Sequence, residues 1–270
     1  YISKFSLTAD GNATDAGDLS TNRAYLQGLS SSSNGYTAGG LNPPYTNIID
    51  KFPFASDDNA TDIGNLTAVA AFVGTSMSST HGYVQGGRPY TNRIDKFPFS
   101  SDDDATDIAN LTQTRGYTSG QTSSTHGYTS GGTPPFAGIN TIDKFPFSSD
   151  DDATDVGNLA LGAYGLCGTQ STTNGYTNGG YNSPPFQILN RIQKFPFASD
   201  DDASDVADMT VSFSYRSGIS STTHGYLAGG APPFVGSNII EKYPFSSDDN
   251  ATDVGDLNVR RAGGAGNLQV

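Results

Sequence analysis

KFPFASDDNATDIGNL, residues 51–66, recurs with small changes along the whole chain. Its opening Lys-aromatic pair falls at Lys4-Phe5, Lys51-Phe52, Lys96-Phe97, Lys144-Phe145, Lys194-Phe195 and Lys242-Tyr243, and the steps between the lysines are 47, 45, 48, 50 and 48 residues. A fixed period in this range marks solenoids and propellers, in which one supersecondary unit buries its apolar face only against its neighbours. The chain therefore reads as a single array over residues 1–270 rather than as two domains.

Residues 67–111 show the anatomy of one unit. TAVAAFVGTSMSSTHGYVQGG alternates at Val69, Ala71 and Val73, passes through a Ser/Thr-rich turn and runs into HGYVQGG, which predicts a hairpin. RPYTNRIDKFPF supplies a third strand with Phe97 and Phe99 on one face and Ile94 and Lys96 on the other. The acidic turn SDDDATD reverses the chain, and ATDIANL forms a short fourth strand. Four antiparallel strands in about 48 residues is the size of one propeller blade. Prolines 53, 98, 146, 196 and 244 sit inside the third strand, where a missing ladder donor is tolerated only at an edge or an unpaired end. The fourth strand is therefore expected to be short, or these positions to face an unpaired end of it.

Composition narrows the function classes. Glycine, 33 of 270 residues, with 11% aromatics and many Ser, Thr, Asn and Pro residues, suits a turn-rich all-β protein better than a disordered one. A net charge of −13 with only 14 basic residues argues against nucleic acid, whose affinity depends on clustered Lys and Arg. No apolar run approaches bilayer-spanning length and no signal-peptide pattern is present, so membrane insertion is not expected. Cys167 has no partner cysteine, which leaves stability to packing and sheet closure. The chain begins at Tyr1 in the middle of a repeat and reads as a processed form or a fragment.

The order of a small-residue strand, an aromatic strand ending in Gly-Gly, a strand ending in a charged-aromatic pair and a short strand resembles the kelch repeat. GYTAGG at 35–40, GYVQGG at 82–87, GYTSGG at 127–132, GYTNGG at 175–180 and GYLAGG at 225–230 match the kelch segment that closes the second strand, although the kelch tryptophan is absent. The wording KYPFSSDDNATDVGDL at 242–257 also resembles repeats in virion and tail-fibre-like proteins of aquatic bacteriophages. The resemblance implies a β-propeller of four-stranded antiparallel blades, with a virion or extracellular location. Complete units span 20–66, 67–111, 112–159, 160–209 and 210–257. The remaining 1–19 and 258–270 would supply the strands that close a sixth blade lacking its Gly-Tyr…Gly-Gly strand; a five-bladed ring is the alternative.

Spacing within the unit separates framework from decoration. The closing Leu or Met lies 15 residues before the Asn or His of each Gly-Tyr, whereas the second Gly of Gly-Gly lies 11, 9, 12, 14 and 12 residues before the lysine, with changing chemistry. Unequal loops on a constant scaffold are where function is expected. In them Tyr45, Tyr90, Phe136, Phe186 and Phe234 follow proline, and kelch-like geometry would place Arg23 and Arg115 on the same face. Aromatics with nearby Arg suit a sugar ring or a protein surface, and equally suit caps on the blade core. The acidic turns offer a second candidate. Asp57, Asp58 and Asp62, and Asp102, Asp103 and Asp107, present oxygens suited to Ca²⁺, the only cofactor the sequence raises, but Asp also favours turns for structural reasons. His81, His126 and His224 stand one per unit where the other units have Asn34 and Asn174, which suits turns rather than one zinc site.

Three functional classes follow. The first is a non-enzymatic binding or structural module of a virion or extracellular appendage, engaging a glycan or protein within a larger assembly. The second is a propeller-class glycosidase or lyase, which would need paired carboxylates or a His-acid pair present once. No such break in the repeat is found, and Glu241 aligns with Asp50, Asp95 and Asp143. The third is a ligand-free scaffold.

Overall fold

A computed structural model of the chain describes residues 1–134, 137–231, 236–264 and 266. The protein is all-β, a propeller of antiparallel four-stranded blades. The first blade pairs Gln27–Ser30, Asn34–Ala38, Ile48–Pro53 and Thr61–Asn65 in sequence order. The second pairs Gly74–Met77, His81–Gln85, Thr91–Pro98 and Thr106–Arg115 in the same way, and three further blades follow. Four-stranded blades among the described residues number five, the count given above as the alternative. A two-stranded hairpin, Ile2–Lys4 with Thr14–Gly17, stands between the fifth blade and the first. The expected C-terminal closing strand differs from the reading above, because residues 258–261 continue the last strand of the fifth blade, Thr252–Arg261.

The apolar cores lie between blades, as a repeat with no core of its own requires. One cluster joins Leu29, Tyr36 and Ile49 of the first blade to Val84 and Phe97 of the second. Its recurring element is the Gly-Tyr tyrosine, which packs on the Phe-Pro-Phe rings of the next blade: Tyr83 on Phe145 and Phe147 at 5.4 and 4.8 Å, and Tyr128 on Phe195 and Phe197 at 5.6 and 4.8 Å. Such ring pairs contribute about 0.5–1.5 kcal/mol each beyond their buried area. Tyr226 of the fifth blade meets Phe5 at 5.7 Å and donates to the Leu7 carbonyl at 2.8 Å, so the N-terminal hairpin occupies the place of a next blade.

The acidic turns fasten neighbours together. Their first Asp bridges the lysine of the preceding unit: Lys4–Asp57, Lys51–Asp102, Lys96–Asp150, Lys144–Asp200, Lys194–Asp248 and Lys242–Asp10, a closed circle of six. The second Asp accepts from a serine of its own turn, as Asp58 does from Ser56 and Asp103 from Ser101, both at 2.6 Å. At the third place Asn59, Asp104 and Asp152 accept backbone N–H groups of the preceding unit, those of Asp18, Asn65 and Asn110. The buried alanine that follows donates its own N–H to the same unit, as Ala105 does to Asn65 at 2.8 Å and Ala13 to Asp256 at 2.7 Å.

The prolines fall where a donor is not needed. Pro98 pairs with His81 at the end of its strand, while the fourth strand reaches only as far as Lys96, opposite Thr106. In all five blades the pairing of third and fourth strands stops at the lysine two places before the proline, although the fourth strand itself runs ten residues in the second and fifth blades, longer than expected. Residues 69–73, read above as alternating strand, are instead the connection between blades, because the first strand of the second blade begins at Gly74.

Candidate ligand-binding face

The ring presents two chemically different faces. Acidic turns and the Ser/Thr-His turns share one, since Phe99 of the former donates to the Thr80 carbonyl of the latter. Blade-to-blade connections and the loops after Gly-Gly share the other, joined by isolated bridges such as Ala71 with Arg88 and Tyr164 with Tyr181. The unequal loops and the connections therefore meet on one face, as the repeat pattern implies.

At the axis of that face six connections close on one another. Tyr25, Phe72, Tyr117, Gly165, Tyr215 and Gly263 each hold a left-handed backbone, with φ between 55° and 67°. Every one donates its N–H to the carbonyl of the one before, and Tyr25 completes the circle by donating to Gly263, at 2.6–2.9 Å throughout. The ring thus has six stations, five of which carry a four-stranded blade. The four non-glycine residues with positive φ among the described residues all stand here. Such backbone persists only where its surroundings over-determine it, and it concentrates at functional sites.

Their side chains gather over the axis. Tyr25 stacks on Phe72 at 4.3 Å, Phe72 lies 4.1 Å from Tyr117, and Tyr215 lies 5.6 Å from Tyr25 and 6.1 Å from Tyr117. Four rings at six stations need room, and the two glycines provide it: a Cβ at Gly165 would meet the Tyr215 ring at 2.8 Å, and one at Gly263 would clash with the Tyr25 ring edge. Tyr164 and Tyr181, stacked at 5.5 Å, extend the cluster toward the fourth blade. All of these rings are half-buried. Below them a cavity of about 50 Å³ lies among the first strands, with room for water molecules but not for a sugar ring.

Arg88 completes the cluster. Its guanidinium carbon lies 5.1 Å from the centre of the Tyr90 ring and 5.7 Å from that of Tyr117, and Nη1 donates to the Tyr117 hydroxyl at 2.8 Å. That hydrogen bond, ahead of the nearby Tyr45 and Tyr90 phenols, holds the guanidinium pKa above its ordinary value. Burial pushes the Tyr90, Tyr164 and Tyr215 phenols up, so they stand as neutral hydroxyls at physiological pH.

The predicted residues divide. Tyr90 belongs to this cluster through its contact with Arg88, and Tyr45 lies near enough for its phenol to act on the Arg88 guanidinium. Phe186 stands apart, 77% exposed at the tip of the small hairpin Tyr181–Asn182 with Gln187–Ile188. Phe136 and Phe234 lie outside the described residues. Arg23 and Arg115 turn inward, contrary to the expectation that they line the face: their side chains are 0% exposed and bridge Asp50 and Asp143 within their blades. The acidic residues raised as oxygen ligands each have a partner within the fold. Asp57 and Asp102 bridge lysines, Asp58 and Asp103 take serine hydroxyls, and Asp62 accepts the N–H of Gly64. Asp107 stands opposite Asp95 in the ladder, with its pKa raised by burial. Among the described residues no three His, Cys, Asp or Glu side chains are grouped as metal ligands.

Sequence reasoning missed Arg88 and the axial rings. A readable trace existed, since four of the five complete units carry an aromatic residue six places after the Leu or Met that closes the preceding unit: Tyr25, Phe72, Tyr117 and Tyr215. No protein-family model matches the chain and no curated protein matches it, so function rests on this geometry.

Proposed function

We propose that this protein is a non-enzymatic binding module that engages a glycan through the aromatic face of its ring. The observation that carries the reading is the gathering of half-buried tyrosines around Arg88 on the face where the unequal loops meet. Flat rings with a polar tip offer stacking surface and a hydroxyl together, the combination a sugar uses. Carboxylates within the blades near this face support binding over hydrolysis: Asp50, Asp95, Asp143 and Glu241 are buried and partnered by arginine or by backbone and hydroxyl donors. The setting we propose, a virion or extracellular appendage, rests on the resemblance of the repeat wording alone.

A glycan-array screen of the intact protein tests the reading. Selective binding that is lost in Tyr90→Ala and kept in Phe186→Ala is the expected result, because Phe186 makes no contact with the clustered rings. Absence of binding to every glycan, with tight incorporation into a larger particle, would favour a scaffold instead.

A further inference from the structure

We infer that the aromatic face selects an anionic saccharide, one bearing a carboxylate or sulfate, and that Arg88 receives the anionic group. The inference rests on the glycan-binding reading and adds the charge of the ligand.

The partners of the basic residues carry it. All six lysines bridge an aspartate of the neighbouring unit. Arg23, Arg93, Arg115, Arg191 and Arg216 each pair with a carboxylate. Arg261 bonds the Tyr1 carbonyl, Ser3 and Asn258, and Arg260 lies exposed on the last strand of the fifth blade. Arg88 has no carboxylate partner among the described residues, in a chain with 27 acidic and 14 basic side chains. Arg260 and Arg261 also lack a carboxylate, but Arg88 is the one held against aromatic rings on the face where the unequal loops meet, which makes it the receiver we assign to an external anion.

Its geometry fits an oxyanion. A guanidinium carries five N–H donors in a planar fork and binds carboxylate or sulfate through two of them at once. The contact to Tyr117 occupies Nη1, while Tyr90 and Tyr117 hold the plane in place through their ring faces. Tyr90, whose ring centre lies 5.1 Å from the guanidinium carbon, offers a hydroxyl and a ring face to the sugar that bears the charge. The net charge of −13 does not oppose this at short range. The acidic turns lie on the opposite face, and exposed charges are screened within about 8 Å at physiological ionic strength.

The test is an array carrying uronate, sialate and sulfated glycans beside neutral ones of equal length, followed by titration of the best anionic binder against its neutral counterpart. Anionic glycans are expected to bind about tenfold or more tightly than the neutral ones, and Arg88→Gln is expected to abolish that preference. Arg88→Lys, which keeps the charge without the fork, should retain part of it and guards against a folding defect in the first variant. The uronate, sialate and sulfate arms identify which anion is read. Equal binding of neutral glycans, or an anionic preference that survives Arg88→Gln, overturns the inference and leaves the glycan-binding face standing; no binding to any glycan overturns both.

Discussion

Asp143, buried in the third blade, accepts from the Thr112 backbone and hydroxyl at 2.9 and 2.7 Å and pairs with Arg115 at 2.8 Å. In the fourth blade the acid is Gln193 and the place of Arg115 is taken by Ala163, so charge and countercharge vanish together. Glu241 and Arg216 restore them in the fifth. A buried charge stripped of its partner costs about 3–5 kcal/mol, whereas removing both costs far less. Asp143→Ala is therefore expected to lower unfolding free energy by about that amount, and Asp143→Gln with Arg115→Ala by clearly less; equal losses in urea unfolding would contradict the pairing argument. The histidines make a second prediction. Burial, then the lysine ahead of the acidic bridge, lowers the pKa of His81, His126 and His224 below its ordinary value. A depressed folded pKa means the unfolded chain takes up more protons, so stability falls as pH drops below about 6.5 and through the folded values. Replacing all three by asparagine, as at Asn34 and Asn174, should flatten the melting temperature between pH 7 and 5, and an unchanged slope would refute this.

At the scale of the element, most of a blade was legible. Constant spacing fixed the first hairpin, and the proline positions required a fourth strand that stops short of them. The connections were misread because Val69, Ala71 and Val73 mimic strand alternation, while the left-handed turn at Phe72 depends on a hydrogen bond to Tyr25 in another unit. No local pattern encodes that partner. The acidic phrase was conspicuous yet ambiguous, since Ca²⁺ ligation and inter-blade fastening call for the same oxygens, and only neighbouring blades distribute them among lysine, serine and backbone. Strand pairing also explains Gly127. It faces Phe145 across the second and third strands, and an added Cβ would clash with the edge of that ring. Gly127→Ala should destabilise by about 1–3 kcal/mol, as overpacking does. Gly11→Ala, with open space around it, should leave thermal unfolding unchanged; a similar cost for both would undermine the close-approach argument.

For the whole molecule, the N-terminal hairpin is the piece that makes a ring from an array. It gives Asp10 to Lys242 on one side and Lys4 to Asp57 on the other. Deleting residues 1–19 should lower the melting temperature and produce concentration-dependent association through the freed blade surfaces. A monomer of unchanged melting temperature would show that closure does not depend on the hairpin. The sequence placed recognition in the unequal loops and so reached Tyr45 and Tyr90, but not Arg88 or the axial tyrosines. Those residues come from different units, and their meeting is a property of the closed ring. The central claim is that the repeated phrase builds the ring and the opposite face recognises the ligand. Amide hydrogen exchange with and without a glycan bound tests it most directly. New protection confined to residues 88–91, 116–118 and 214–216 is the predicted result, and protection of the acidic turns at 55–62 and 100–107 with none on the aromatic face would contradict it.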